Sequence, residues 1–293
     1  MKIKEQLINF YKDIAYYPYK VLLSYPKILS IHETLEILIM SKKGVARFGD
    51  GEFHMISQTE HLGFQCKDET LAERLKEILI SGSDKCLILL PEGINSVQSL
   101  IPKAKAFWKR FVVFHYHRYQ SYFNFKQAYC NANITRPFMD YKDKSGVGKH
   151  FETMKSLWKD KRILIVEGQM SRLGVGNDLF QETLCIKRII TASRNAFTFY
   201  ERIYDTVVSN INQFDLVLIA LGPSATVLAY DLSQIDVQAI DIGHIDIEYE
   251  WFLQGANRKV AINGKHVNEV SEELIIQDEI DDQYHSQIMA TIF

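Results

Sequence analysis

The feature that most constrains the fold of this chain is an unbroken apolar run at residues 216–221. Such a run is typical of a strand in a sheet that is covered on both faces. Other short apolar runs alternate with segments of helical spacing, which indicates βαβ units and a mostly parallel α/β sheet with helices on both faces. The strands that we predict lie at residues 45–48, 86–90, 163–166, 187–190, 216–221 and 237–242.

Local signals place the helices between these strands. Ser30 and Glu33 form a capping-box pattern ahead of a helix that ends near Gly44. Apolar residues at helical spacing predict another helix over residues 68–80. The remaining predictions are a helix end plus a strand at residues 107–116, a short helix after residue 178, a helix at residues 197–208 and another helix after the turn at residues 222–226.

Length and charge bound the organisation of the chain. Its 293 residues suffice for one large α/β domain or two small ones. We predict a single domain at residues 30–293, which ends in an acidic helix at residues 272–282 and follows an arm at residues 1–29. A net charge of -2 offers no basic field for nucleic acid. Four separated cysteines without a CxxC pair fit a reduced, cytoplasmic chain, and the most apolar runs are too short to span a bilayer.

The arm at residues 1–29 combines five lysines with many apolar and aromatic residues. A basic, aromatic amphipathic segment can lie on an anionic membrane surface. It can equally pack on the domain, and apolar spacing alone does not separate the two. We predict weak, peripheral membrane attachment, with packing on the domain as the alternative.

The unusual segments of the chain follow predicted strands, and in parallel sheets ligands bind outside the carboxyl ends of the strands. The first such segment is residues 47–52, in which Asp50 and Glu52 lie two residues apart beside Gly49 and Gly51. Two close carboxylates favour a cation between them, and oxygen ligands suit Mg²⁺ or Mn²⁺, which itself would hold a phosphate. The alternative is an Asp-Gly turn followed by a solvated Glu52.

Two further strand ends carry candidate anion sites. Residues 171–178 contain glycines that allow close backbone approach, and a helix beginning there would direct N–H groups at a phosphate. The segment lacks the spacing of a dinucleotide fold and of a P-loop, so neither NAD nor ATP is indicated. Helix capping is the alternative for both sites. The candidate residues are Arg172, Gly174, Gly176, Asn177 and, from the turn after residue 221, Ser224.

The densest cluster of titratable groups is at residues 241–251. If the chain is extended there, Asp246, Glu248 and Glu250 share one face beside His244. An acid at this position could take a proton from a hydroxyl nucleophile, and Trp251 could stack on a sugar ring. The alternative is a polar edge strand with an outward acidic face.

Together, residues 47–52, 171–180, 220–231 and 241–251 resemble the GT-D-type glycosyltransferases, a family formerly called domain of unknown function 1792. The resemblance covers roughly residues 30–292. It implies a Rossmann-like fold, a nucleotide-sugar donor that is typically UDP-linked, and an Mn²⁺ or Mg²⁺ ion bound through Asp50 and Glu52. It also implies an acceptor in bacterial surface polysaccharide or protein-linked glycan synthesis.

In that scheme the other candidate residues take roles around the donor. Arg47 and Gly49 join Arg172, Gly174, Gly176, Asn177 and Ser224 as residues that bind the nucleotide sugar. His244, Asp246 and Glu248 are the catalytic candidates, with Asp246 or Glu248 as the base. Membrane contact by residues 1–29 would place the enzyme near a lipid-linked acceptor at the inner face of the cell membrane.

Two other functions remain as alternatives. One is an S-adenosylmethionine-dependent methyltransferase, which would carry a glycine-rich loop after the first strand in place of paired acids. The other is a non-catalytic subunit that binds nucleotide sugar within a glycan assembly complex. The acids at residues 246–250 argue mildly against that second alternative.

Overall fold

The structure, a computed structural model, describes residues 2–59, 61–267, 269–270 and 282–293, with the side chains of residues 2–5 and 9 outside the description. The helices are α1 (Lys2–Leu22), α2 (Ile31–Ser41), α3 (Asp50–Ile56), α4 (Glu69–Ser81), α5 (Pro102–Phe114), α6 (Val147–Lys155), α7 (Tyr200–Asn210), α8 (Pro223–Gln234), α9 (Ile245–Leu253) and α10 (Asp282–Gln287). The strands are β1 (Lys27–Ile28), β2 (Gly44–Arg47), β3 (Cys86–Leu90), β4 (Ala128–Asn131), β5 (Arg162–Gly168), β6 (Cys185–Thr191), β7 (Leu216–Ala220), β8 (Ala239–Asp241) and β9 (Ile288–Ile292).

The strands form one sheet in the order β1-β4-β3-β2-β8-β7-β5-β6-β9, and every pairing within the described residues is parallel. Alternation along β7 shows why its run is wholly apolar. Leu216 and Leu218 pack in the core on one face, whereas Val217 and Ile219 pack in the core on the other. Burying one such side chain contributes about 1.5–3 kcal/mol, so both faces stabilise the strand. The predicted α/β class and parallel sheet are confirmed.

Capping signals place two helix starts as predicted. The Ser30 Oγ accepts a hydrogen bond from the Glu33 N–H at 3.1 Å, and the Ser30 N–H donates to Glu33 Oε2 at 2.8 Å. Asp68 caps α4 by accepting from the Leu71 N–H at 2.9 Å. Each cap satisfies a donor that the first helical turn leaves unpaired, which is worth roughly 1 kcal/mol.

Two predicted elements are wrong. Residues 107–116 contain no strand, because α5 continues to Phe114 and buries Trp108 and Phe111 at helical spacing. Residues 169–184 contain turns and bends but no helix, and Gly174 and Gly176 take φ values of +73° and +81°, which a right-handed helix does not allow. The sequence did not predict β1, β4, β9, α3, α6 or α10.

The segment at residues 1–29 is attached to the domain. The Lys109 Nζ of α5 donates to Asp13 Oδ1 of α1 at 3.1 Å, and β1 pairs with β4. The division of the chain at residue 29 stays a prediction. The predicted acidic helix lies outside the described residues over 271–281. None of the helices in the described part of the chain has both the length and the apolar character needed to cross a membrane.

Candidate active site

A cavity of about 410 Å³ lies at the carboxyl ends of the strands. Segments that follow five neighbouring strands, β2, β8, β7, β5 and β6, form much of its wall. The predicted site residues that line it are Arg47, Gly49, Asp50, Glu52, His244 and Asp246. Six other predicted residues lie outside the described lining: Arg172, Gly174, Gly176, Asn177, Ser224 and Glu248.

The segment after β2 begins a helix instead of making a simple turn. Gly49 is the N-cap of α3, and Glu52 at the third helical position folds back on it. The Gly49 N–H donates to Glu52 Oε2 at 2.6 Å, and Glu52 is only 4% exposed. Burial raises the pKa of Glu52 to about 7, although Arg47 acts in the opposite direction. The solvated Glu52 of the alternative prediction is therefore wrong.

The Arg47 guanidinium packs closely against the backbone at Gly243. A Cβ on Gly243 would lie 2.6 Å from Arg47 Nη2, and Gly243 has a φ of +45°, so only glycine leaves this space open. The Nε of Arg47 is 3.7 Å from Asp241 Oδ1 and has no hydrogen-bond partner among the described residues. Asp241 is itself buried, and burial raises its pKa.

The glycine-rich segment after β5 binds carboxylates of the protein itself. The Leu173 N–H donates to Glu167 Oε2 at 2.7 Å, and the Gly174 N–H donates to Asp246 Oδ1 at 2.9 Å. These two N–H groups are thus paired with buried acids instead of being aimed at a phosphate from a helix N-terminus. Arg172 lies near the Tyr284 ring, 5.7 Å from its centroid. The predicted helix-based anion site is wrong in its geometry.

The acidic cluster is helical, not extended, because α9 begins at Ile245. Its acids therefore divide: Asp246 and Glu250, four residues apart, face one way, and Glu248 faces another. The Lys265 Nζ donates to Asp246 Oδ2 at 2.7 Å and to Glu250 Oε1 at 2.9 Å. The Asn177 amide donates to the same two carboxylates, at 2.8 Å each.

The side chains of Glu248 and Trp251 are buried, and both make hydrogen bonds to the backbone. Glu248 Oε2 accepts from the N–H groups of Phe138 and Met139 at 3.0 and 2.9 Å, and Glu248 is 0% exposed. Trp251 is also fully buried, and its indole N–H donates to the Val260 carbonyl at 2.9 Å. A stacking role for Trp251 on a sugar ring is therefore wrong. Apolar residues at 245, 247 and 249 alternate with the acids and so imitate a strand pattern.

Sequence reasoning missed a cluster of charges on the wall near His244. His244 Nε2 lies 2.8 Å from Glu269 Oε2, and Arg136 Nη2 also donates to the Glu269 carboxylate. Burial would raise the pKa of Glu269, but His244 and Arg136 hold it well below its ordinary value. Arg136, Glu269 and His266 all line the cavity. Arg136 and Glu269 are 133 residues apart in sequence, and no local motif marks either of them.

Ser224 lies in the first turn of α8 and is 1% exposed. Its hydroxyl has no hydrogen-bond partner among the described residues. The neighbouring residues Leu221 and Gly222 line the cavity, but Ser224 does not. Its predicted role in binding stays a prediction.

A divalent cation fits the charges around Arg47. In the described ranges, no group of three or more His, Cys, Asp or Glu residues could hold a metal on its own. Asp50 and Glu52 nevertheless supply carboxylate oxygens at the cavity wall, which are the ligands that Mg²⁺ prefers, with substrate phosphates completing its shell. Glu52 and Asp241 are buried and both interact electrostatically with Arg47, and Asp50 lies on the same cavity wall, so ionising all three carboxylates would leave negative charge that a cation would offset.

Comparison with known proteins gives a consistent family match. Residues 45–270 match the family described as "Glycosyltransferase GT-D fold". The "Probable glycosyl transferase Gly" of Streptococcus gordonii is 39% identical over 268 residues, which cover 90% of this chain and 39% of that protein. "Glycosyltransferase GlyD" of Streptococcus pneumoniae serotype 4, strain TIGR4, is 36% identical over 273 residues, which cover 91% of this chain and 32% of that protein. The chain thus spans well under half the length of these curated relatives.

Solved structures agree with the sequence matches. A structure described as domain of unknown function 1792 with a distinct glycosyltransferase fold has a TM-score of 0.86 and 38% identity, covering 94% of this chain and 99% of that one. "A New Glycosyltransferase (DUF1792) from Streptococcus sanguinis" has a TM-score of 0.85 and 38% identity, covering 92% of this chain and 100% of that one. Both resemble this chain over nearly all of their length.

Proposed function

The chain belongs to the glycosyltransferase family of the GT-D fold, and we propose that it transfers a hexose from a nucleotide sugar with the help of Mn²⁺ or Mg²⁺. The family match confirms the resemblance that its motifs indicated. The donor is UDP-linked, as the family resemblance implies. The acceptor is a glycan or a lipid-linked oligosaccharide of bacterial surface polysaccharide or glycoprotein synthesis. The single observation that carries the proposal is the set of acids near this end of the cavity: Asp50 and Glu52 line it together with Arg47, and Asp241 lies 3.7 Å from Arg47 Nε.

The charge balance explains why a cation and a diphosphate would bind together. Glu52 and Asp241 are buried, and burial raises the pKa of both, so this part of the cavity resists holding all its carboxylates ionised. A bound Mn²⁺ or Mg²⁺ ion would neutralise the diphosphate leaving group. Asp50 and Glu52 would hold that ion, and Arg47 would donate to a phosphate oxygen through its unpartnered Nε or its terminal nitrogens.

Proton transfer is best assigned to His244 among the three predicted catalytic residues. Asp246 accepts hydrogen bonds from Gly174, Asn177 and Lys265, and Glu248 accepts two from backbone N–H groups. His244 lines the cavity, and its side chain remains 22% exposed. A carboxylate paired with an imidazole can hold and orient it for accepting a proton. Glu269 would then orient His244, and Asp246 would fix the wall of the cavity.

The cellular setting follows from the same proposal. A cytoplasmic enzyme would take its nucleotide sugar from the cytoplasm and meet a lipid-linked acceptor at the inner face of the membrane. Peripheral attachment through residues 1–29 stays a prediction of the sequence. The methyltransferase alternative is disfavoured, since Asp50 and Glu52 take the place of the glycine-rich loop that it requires after β2.

Calorimetric titration with UDP, with and without Mn²⁺, tests the metal assignment. The wild-type chain should bind UDP at least tenfold more tightly when Mn²⁺ is present. A double variant, Asp50→Asn with Glu52→Gln, should lose that dependence. The control is Glu69→Gln with Glu73→Gln, which removes two exposed carboxylates of α4 and should leave binding unchanged. Equal Mn²⁺-dependent binding by the Asp50/Glu52 variant would refute the assignment.

Turnover separates the enzyme from its two alternatives. Release of UDP from a UDP-hexose panel, measured with glycan and lipid-linked acceptor pools, should be metal-dependent and fall at least a hundredfold in His244→Ala. UDP binding without release from any donor would favour the non-catalytic subunit. Metal-independent binding of S-adenosylmethionine would favour the methyltransferase.

A further inference from the structure

The outer face of α1 is apolar and exposed. Seven of its apolar side chains are more than half exposed, and five of these are Leu7 (63%), Phe10 (67%), Ile14 (57%), Tyr17 (63%) and Val21 (85%). Their spacing alternates between three and four residues, so they form one stripe along the helix. We call these five residues the α1 stripe. Exposed apolar patches of this extent mark interaction surfaces in soluble proteins.

The opposite face of α1 fixes the helix on the domain, so the stripe is held outward. Ala15 and Tyr16 are buried, and Lys109 of α5 pairs with Asp13. The Lys20 Nζ donates to the Asn95 carbonyl at 2.8 Å. Helix α1 therefore does not need the stripe for its attachment.

The described lysines of α1 favour a protein partner for the stripe over the membrane surface that the sequence predicts for residues 1–29. Lys12 is 5% exposed, and Lys20 is directed toward the Asn95 carbonyl. Among the side chains that the structure describes on α1, no cation lies on the stripe itself. Anionic lipid surfaces recruit amphipathic helices through such cations beside the apolar face. The stripe instead has the three-four spacing of a helix that pairs with another helix.

We propose that the α1 stripe docks on the α1 stripe of a second copy of this chain. A single patch that meets itself gives a two-fold dimer, the commonest symmetry of soluble oligomers. The stripe and its exposed neighbours Tyr11 and Leu22 are seven apolar side chains, each more than half exposed, and a standard stable interface needs roughly 800 Å² per partner, an area on the order of what these side chains offer. This dimer is independent of the proposed glycosyl transfer, because the cavity is built from the ends of other elements.

Sedimentation velocity over a range of concentrations tests the dimer. The wild-type chain should sediment as a dimer that dissociates on dilution. Ile14→Lys should weaken self-association at least a hundredfold, because each dimer would bury two lysines at its two-fold seam. Phe10→Ser is a second variant with the same expected direction. Both positions are exposed in the single chain, so unchanged far-UV circular dichroism and melting temperature are expected.

The matched control is Leu184→Lys, which places the same charge at a residue that is 68% exposed away from α1. This variant should dimerise like the wild type. A wild-type chain that is monomeric up to about 100 μM, or an Ile14→Lys variant that dimerises as tightly as the wild type, would overturn the proposal. Flotation of a monomeric wild type with phosphatidylglycerol vesicles, lost in Ile14→Lys, would assign the stripe to a membrane and equally overturn it.

Discussion

Replacing Lys265 by Met tests the charge network that holds α9 at the cavity. The Lys265 side chain is 2% exposed and bridges Asp246, which is 1% exposed, and Glu250, which is 12% exposed. Removing one partner of a buried ion pair costs about 3–5 kcal/mol, because a charge is left uncompensated. Asp246 keeps its bonds from Gly174 and Asn177, so we expect a loss near the lower limit, about 3 kcal/mol.

Urea denaturation followed by far-UV circular dichroism measures this loss. Lys159→Met is the control, because Lys159 and Glu182 form an exposed pair and the variant should unfold close to the wild type. Adding Asp246→Asn to Lys265→Met removes a carboxylate charge that the first substitution leaves without its partner. The double variant should therefore lose less free energy of unfolding than the sum of the losses in the two single variants. The reasoning is refuted if Lys265→Met unfolds like Lys159→Met, or if the two substitutions are additive.

Two further predictions concern Gly243 and His150. Gly243→Ala places a Cβ 2.6 Å from Arg47 Nη2 and should weaken UDP binding at least tenfold. The control is Gly255→Ala, which has a similar φ of +59° and open space around it, and should bind UDP like the wild type. Equal calorimetric affinities of the two variants for UDP would contradict this prediction. Burial lowers the pKa of His150 to about 4 from 6.5, so the unfolded chain binds the proton more tightly. The free energy of unfolding should therefore fall by about 3 kcal/mol as the pH drops from 6.5 to 4. In urea titrations, His150→Gln should reduce this pH dependence. If the variant and the wild type lose stability equally over this pH range, His150 is not the cause.

The central strands could be predicted because burial on two faces leaves a short, continuous apolar run in the sequence. A strand such as β7 packs in the core on both faces and therefore carries apolar residues at every position. Strands at the edges of the sheet lack such burial. β1 has only two residues, and Met289 and Ala290 of β9 are only half-buried. Their pairing depends on distant partners that a local pattern does not encode.

The site could be located from sequence, although several of its residues could not be assigned. Segments at strand ends converge in any parallel sheet, and this placed Asp50, His244 and Asp246 in one cavity. Glycine misled the prediction at residues 171–178, because it permits both a close phosphate approach and the left-handed turns that Gly174 and Gly176 adopt. Arg136 and Glu269 meet only through the tertiary fold, so no spacing could reveal them.

The acids around the cavity divide into two kinds, according to whether they accept a hydrogen bond from a backbone N–H. Most of them accept hydrogen bonds from backbone N–H groups of loops and helix caps, because N–H groups that are unpaired in regular secondary structure still need an acceptor when they are buried. Glu52, Glu167, Asp241, Asp246 and Glu248 each accept at least one backbone N–H from a loop residue or helix cap. Asp50 is a half-buried acid of the lining with no such bond among the described residues. It is therefore the carboxylate freest to meet a cation, and Glu52 can assist only through the oxygen that Gly49 leaves available. A single Asp50→Asn variant should accordingly lose more Mn²⁺-dependent UDP affinity than Glu52→Gln, which retains an acceptor for the Gly49 N–H.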